Sequence, residues 1–434
     1  MTDVRPAADR RPAGGHDRPR GAAAAPRAGA SFHEMWDGLR GIGRDAGSGG
    51  YRRYAWTGAD ADCRAWFREQ AEARGLAYET DRNGNQWAWL GDPDGTDAVV
   101  TGSHLDSVPD GGAFDGPLGV VSSFAAVDEL LRRDATPTRP LAVVNFGDEE
   151  GARFGLACVG SRLTAGRLTK DAAYALRDGD GTSLPDAMEA AGYDPAAIGP
   201  DPERLARIGA FVELHVEQGR ALDLSGDPVG IASAIWPHGR WRYDFRGEAN
   251  HAGTTRLVDR RDPMLPYAET VLAARRAAEL AGAVATFGKV AVEPNGVNAI
   301  PSLVRGWLDS RAVDQAALDT VTAAVEAAAR EAADRQGVDL TVVRESFTPV
   351  VEFAHALRDE LGRILDRGGD RPVPVLGTGA GHDAGILSAS VPTAMLFVRN
   401  PTGVSHSPAE FAAEDDCAAG VRALADVLEG LACR

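Results

Sequence analysis

Short runs that are apolar on both faces recur along the chain: Asp97–Thr101, Leu141–Phe146, Phe211–Leu214 and Val391–Val398. Continuous apolarity over so few residues is the pattern of strands buried within a sheet. Between and before them lie stretches of helical periodicity. Ser31 is placed to cap a helix over Phe32–Leu39, and Asp60–Arg74 sets Cys63, Trp66 and Phe67 on one face. Pro117 suits the first turn of a helix through Leu131, and another helix is predicted over His355–Asp366. Leu76–Thr80 and Asn85–Leu90 alternate around Asn83-Gly84, a hairpin signal. Apolar strands alternating with helices make an α/β sheet, which binds ligands at the carboxyl ends of its strands.

From about Arg240 the pattern changes. Trp241–Ala249, Ala285–Val292, Val304–Arg311 and Val338–Val343 read as strands, with helices over Pro263–Leu280 and Asp314–Arg335. That β-α-β-β-α-β order is the split, ferredoxin-like unit, and its size fits an insertion. The predicted organisation is therefore a discontinuous catalytic domain over 31–238 and 348–434, interrupted by an inserted domain over 239–347. Residues 1–30 are Arg, Ala, Pro, Gly and Asp with almost nothing to bury, and are expected to be a disordered tail.

Composition narrows the possibilities. At 434 residues the chain can fill two cores. A formal net charge of −17 argues against nucleic acid and anionic membrane surfaces as partners. No apolar run approaches the roughly 20 residues that span a bilayer. The four cysteines show no C-x-x-C spacing, so reduced thiols in a cytoplasmic setting are expected.

The candidate chemistry gathers at predicted strand ends. In Gly102-Ser-His-Leu-Asp106, His104 and Asp106 lie two apart and share one side of an extended segment, so the carboxylate can hold the far ring nitrogen. Asp115 follows in a glycine-rich loop that can bend back over the strand end. The next strand leads into Asp148-Glu149-Glu150-Gly151, and the one after it into His215-Val-Glu-Gln218. Five of the nine histidines (His104, His215, His251, His382 and His406) sit in polar or small-residue contexts. The predicted centre holds two ions bridged by Asp115, one completed by His104 and Glu150 and the other by His215 and His406. Two such ions about 3.5–4 Å apart activate one water between them. Glu149, a carboxylate beside that water, is the expected general base.

The ordered motifs resemble the hydantoinase/carbamoylase branch of the M20 metallopeptidase superfamily. They are Gly102-Ser-His-Leu-Asp106, Gly112-Ala-Phe-Asp-Gly116, Glu149-Glu-Gly151, Leu214-His-Val-Glu-Gln-Gly219, His251-Ala-Gly-Thr-Thr255, Asn298-Ala-Ile-Pro301, Gly379-Ala-Gly-His-Asp-Ala384 and Gly403-Val-Ser-His-Ser-Pro408. The resemblance runs from about residue 31 to the C-terminus. It implies an α/β catalytic domain of the zinc-exopeptidase kind with an inserted lid and dimerisation domain. It also implies a homodimer and two divalent ions per subunit, zinc or manganese, with cobalt or nickel also compatible. By resemblance His104, Asp115, Glu150, His215 and His406 match metal ligands, Asp106 orients the first histidine, and Glu149 is the base. Gln218 matches a contact to a ureido group, and His251 a lid residue that polarises the scissile carbonyl from the partner subunit. Asn298 and Arg311 match holders of a substrate carboxylate, and Gly381 and His382 line the pocket. A cis peptide after Asp115 is implied as well.

The implied reaction is hydrolysis of a carbamoyl C–N bond in a small ureido acid. Allantoate is the first expectation, because Asn250 precedes the His251 motif. N-carbamoyl-L-amino acids come second, ahead of ureidoglycolate and β-ureido acids. A peptidase or deacylase ranks below these, as does a non-catalytic binding module, which would be expected to lose ligands or base. One departure stands out. Arg256-Leu257 replaces the usual Pro-Met after the lid histidine motif.

Overall fold

The computed structural model describes residues 26–366 and 371–433. Most of the tail expected to be disordered lies outside them. Its last residues, 26–30, are held instead: Arg27 Nε donates to Ala73 O and the Gly29 N–H to Asp128 Oδ1.

The N-terminal half follows the polar and apolar pattern closely. Ser31 and Glu34 form a reciprocal capping box on α1 (Phe32–Arg40). Helix α2 (Gly58–Ala73) leads to the hairpin of β1 (Ala77–Thr80) and β2 (Gln86–Leu90). The fully buried β3 (Ala98–His104) passes to α3 (Pro117–Arg132) and then β4 (Leu141–Phe146). Next come four short helices that no periodicity announced: α4 (Val159–Thr164), α5 (Lys170–Ala175), α6 (Leu184–Ala190) and α7 (Pro202–Arg207). One or two turns cannot display an amphipathic stripe. Side-chain caps from Thr169, Ser183 and Asp201 start the last three of them. Strand β5 (Ile208–Val216), the short α8 (Ala221–Ser225) and β6 (Val229–Ile235) complete this part.

The chain then enters β7 (His238–Arg246), β8 (Asn250–His251), α9 (Met264–Ala281), β9 (Val284–Glu293), β10 (Ala299–Ile300), β11 (Leu303–Arg311), α10 (Gln315–Gln336) and β12 (Asp339–Thr348). The four long strands form an antiparallel sheet in the order β12-β7-β11-β9. Tyr243, Phe245, Leu308, Val321 and Val325 share one buried cluster between this sheet and the helices. Strands β8 and β10 pair separately as a two-residue ribbon.

After β13 (Val351–Glu352), α11 (His355–Leu365), β14 (Val375–Thr378) and α12 (Asp383–Leu387), the chain returns through β15 (Thr393–Val398) and ends in α13 (Glu414–Ala432). Among the described residues the main sheet has nine strands in the order β1-β2-β4-β3-β5-β15-β6-β13, with β14 on β6. Strand β15, the last in sequence, thus lies between β5 and β6. Its pairing is parallel with β5 and antiparallel with β6. Helices α3 and α13 pack together on one face around Val121, Phe124, Leu424 and Leu428. Trp87, Trp89, Phe146, Phe211 and Phe397 fill the other.

No described helix is long and apolar enough to cross a membrane. Cys63, Cys158, Cys417 and Cys433 are all free thiols.

Candidate metal centre

Strands β3 and β5 are parallel neighbours, with Gly102 in register with Glu213. Their carboxyl ends therefore bring His104 and His215 together, ring centroids 6.0 Å apart. Asp115 reaches both from the loop before α3. Its Oδ1 lies 3.7 Å from His104 Nε2 and 3.2 Å from His215 Nε2. The other oxygen, Oδ2, lies 3.4 Å from His406 Nε2, and that nitrogen is 3.7 Å from Glu150 Oε2. One carboxylate is thus shared by two donor triads, His104/Asp115/His215 and Asp115/Glu150/His406.

The five predicted donors converge, but not in the predicted pairs. The expected pairs are His104 with Glu150 and His215 with His406. Strand adjacency decides otherwise: the two strand-end histidines face one oxygen of Asp115, and the residues carried on longer loops meet at the other. The turn at Asp115 also differs from expectation. The cis bond in the described chain is Glu293–Pro294, and the Asp115–Gly116 peptide is trans. Gly116 makes the bend with φ +83°, where an added Cβ would lie 2.4 Å from the His104 ring.

The donor set fits divalent ions. His104 Nδ1 faces Asp106 O at 3.2 Å, and His215 Nδ1 faces Val216 O at 2.9 Å. A carbonyl oxygen only accepts, so each ring carries its proton on Nδ1 and turns Nε2 towards Asp115. Two lone pairs facing a carboxylate repel it unless a cation, either a proton or a metal ion, stands between them. The surrounding acids make the same demand. Burial pushes Glu149 well above the usual carboxylate range, reinforced by Asp383 and Glu150 and only partly opposed by His104. Burial and the charge of Asp115 push Glu150 up to about 7. Dications at this point relieve both effects.

Asp106 faces the first histidine and also holds the acidic turn. Its carboxylate accepts the backbone N–H groups of Glu149, at 3.1 Å, and Glu150, at 3.0 Å, and its Oδ1 stays 3.5 Å from His104 Nδ1. It fixes the acidic turn with its side chain and the histidine chiefly with its carbonyl.

A cavity of about 310 Å³ opens on this cluster, lined by Glu149, Gln218, Arg311, Gly381, His382 and His406 among others. A larger one of about 430 Å³, between Trp56 and Tyr193, contains none of the predicted residues. Gln218 stands at φ +57°, donates through Nε2 to Asp115 Oδ2 at 2.8 Å, and keeps a buried Oε1 without a partner. Arg311 is engaged with the Asp309 carboxylate through Nε and Nη2 and with Gly379 O through Nη1. The buried His382 packs 4.5 Å from the His215 ring, and burial holds it well below the usual histidine range.

His251 and Asn298 do not join this group. They are exposed and sit on and beside the β8–β10 ribbon, where the N–H of Ala252, next to His251, donates to Asn298 O. Neither lines the cavity. Arg256, the departure noted in sequence, is bound to Asp259 by two hydrogen bonds rather than held against His251.

Other residues reach the site from outside the predicted donor set. The Cys158 thiol donates to Glu149 Oε1 at 3.3 Å. Beneath the histidines, buried Glu213 accepts from Ser103 Oγ and the Ala384 N–H, and buried Asp383 accepts from Ser161 Oγ. Glu410 lies buried behind the Asp115 loop. A carboxylate inside an apolar strand, as at Phe211-Val-Glu213-Leu214, is the one sequence cue that could have exposed any of them.

The chain is 36% identical over 401 residues to the N-carbamoyl-L-amino acid amidohydrolase of Geobacillus stearothermophilus, covering 90% of this chain and 96% of that one. It is 33% identical over 405 residues to the allantoate amidohydrolase of Escherichia coli (strain K12), covering 93% and 98%. A crystal structure of a hydantoinase/carbamoylase family amidase from Burkholderia multivorans superposes with a TM-score of 0.82 at 29% identity, over 94% of this chain and 99% of that one. Residues 100–430 match the sequence pattern of peptidase family M20/M25/M40, a span that contains all five donors, and the chain belongs to that family.

Proposed function

We propose that the protein is a two-metal amidohydrolase that cleaves the carbamoyl C–N bond of a small ureido acid. The observation that carries this reading is the Asp115 carboxylate, shared by two donor triads with the buried carboxylate of Glu149 3.7 Å from His104. Allantoate remains the first substrate and N-carbamoyl-L-amino acids the second, and relatives bear both names. His104 and His215 would hold one ion and Glu150 and His406 the other, with Asp115 between them. When bound, the ions polarise the scissile carbonyl and acidify a water.

The chain's own residues supply the rest. Glu149 takes the proton of the attacking water and returns it to the leaving nitrogen, and the Cys158 thiol on Oε1 fixes the carboxylate's rotation. Water adds to the ureido carbonyl, the C–N bond breaks, and the carbamate falls apart to ammonia and carbon dioxide, leaving the amine. The unpartnered Oε1 of Gln218 suits a ureido N–H. Arg311 is assigned to the substrate carboxylate: Asp309 orients its guanidinium through Nε and Nη2, and Nη1 would exchange its bond to Gly379 O for the substrate. His251 and Asn298 lie outside this cavity, so we assign them to the site of a second subunit, where the partner's His251 stabilises the developing oxyanion. The proposed assembly is a homodimer with shared sites and 239–347 as its lid.

Metal analysis together with ammonia release from a ureido-acid panel tests the proposal. Two divalent ions per chain and chelator-sensitive turnover of a ureido acid are expected. Hydrolysis of dipeptides or N-acyl amino acids instead would make the protein a peptidase or deacylase. Absence of metal and turnover would leave a binding module.

A further inference from the structure

Glu410 lies four residues beyond His406, at the end of the loop that follows β15. Its side chain is buried at 5% exposure, and one oxygen, Oε2, accepts the consecutive backbone N–H groups of Phe114 and Asp115, at 2.8 and 2.9 Å. A Cβ on Gly112 would meet that same oxygen at 2.2 Å, so only glycine there lets the carboxylate approach the backbone. The same loop also brings Ser405, whose Oγ shares Gln218 Nε2 with Asp115 Oδ2.

We infer that Glu410 is the positioning residue of the bridging carboxylate. Resting on the two-metal reading above, it fixes the Asp115 backbone so that the two oxygens of Asp115 point to opposite triads. Two hydrogen bonds to one acceptor oxygen, from adjacent peptide groups, define a chain direction far better than one does. The glycines around Asp115 leave that direction unspecified by local sterics, and nothing else described bonds to the Asp115 N–H. Loss of such an outer contact ordinarily lowers metal affinity by about 10–100-fold.

The test measures metal, not turnover. Metal-free wild type, Glu410→Ala and Glu410→Gln are titrated with zinc against a chromophoric chelator, and the visible absorption of each cobalt-loaded protein is recorded. Glu410→Ala is expected to lose about 10–100-fold in affinity in at least one position and to show an altered cobalt spectrum. Its metal-free melting temperature should fall, because two backbone N–H groups lose their acceptor, while unfolding stays cooperative. Glu410→Gln keeps an acceptor oxygen and should retain most of the affinity. Wild-type affinity and spectrum in Glu410→Ala overturn the inference, as does an equal loss in both variants. If Glu410→Ala does not fold, Glu410→Asp replaces it, its acceptor withdrawn by one methylene, under the same criteria. A wild type that takes up no divalent ion sinks the proposed function itself. A two-metal wild type beside an unaffected variant sinks this inference alone.

Discussion

At Glu149 the surroundings set the chemistry. A buried carboxylate beside a water held by two cations can accept a proton and later give it back. Glu149→Gln should therefore keep both ions and lose several orders of magnitude in kcat. Near-wild-type turnover at full metal occupancy would remove Glu149 from the reaction. Arg311→Lys preserves charge but loses the planar fork, and kcat/KM should fall by about 10–100-fold with metal content unchanged, the equivalent of one strong charged hydrogen bond. An unaltered kcat/KM on the best substrate would return Arg311 to a structural role with Asp309 and Gly379. The five donors were legible in the sequence because histidine and acid cluster at predicted strand ends. Their pairing was not, since it depends on β3 lying beside β5, which no local pattern records.

Elements hold these residues through close backbone approaches. Helix α3 packs against β3 and β5 at Gly119, where a Cβ would fall 2.3 Å from Leu214 O and 2.7 Å from Ser103 Cβ. Gly119→Val should cost more than about 2 kcal/mol of stability and reduce metal occupancy, because it pushes α3 and the Asp115 loop off the histidine-bearing strands. A melting temperature and metal content equal to wild type would show that α3 can shift freely. The strands and long helices were readable because burial on one or two faces writes itself into their periodicity. Helices α4 to α7 are too short to carry that record, yet α4 begins just after Cys158 and so places the thiol beside Glu149. Helix α13 went unread too, though Leu424, Leu428 and Leu431 repeat along its buried side.

The position of His251 and Asn298 outside the cavity makes the assembly testable by mixing. Glu149→Gln and His251→Ala should each be inactive alone. After subunit exchange, a shared site combines the intact Glu149 of one chain with the intact His251 of its partner, restoring up to about a quarter of wild-type activity. No recovery after verified exchange would place His251 in its own chain's site.

The place of β15 has a consequence for how the protein is made. It is the last strand synthesised and it fills the middle of the sheet. Until residues 393–398 emerge, β5 offers an unpaired edge, with the Glu213 carboxylate and the His215 ring on its exposed stretch. His406 and Glu410 follow later still. A nascent chain can therefore assemble the His104/Asp115/His215 triad before the second, which waits for His406, so the two-metal centre is completed only after the sheet is. Chains that terminate before Thr393 would present that open edge permanently and be prone to strand-to-strand association.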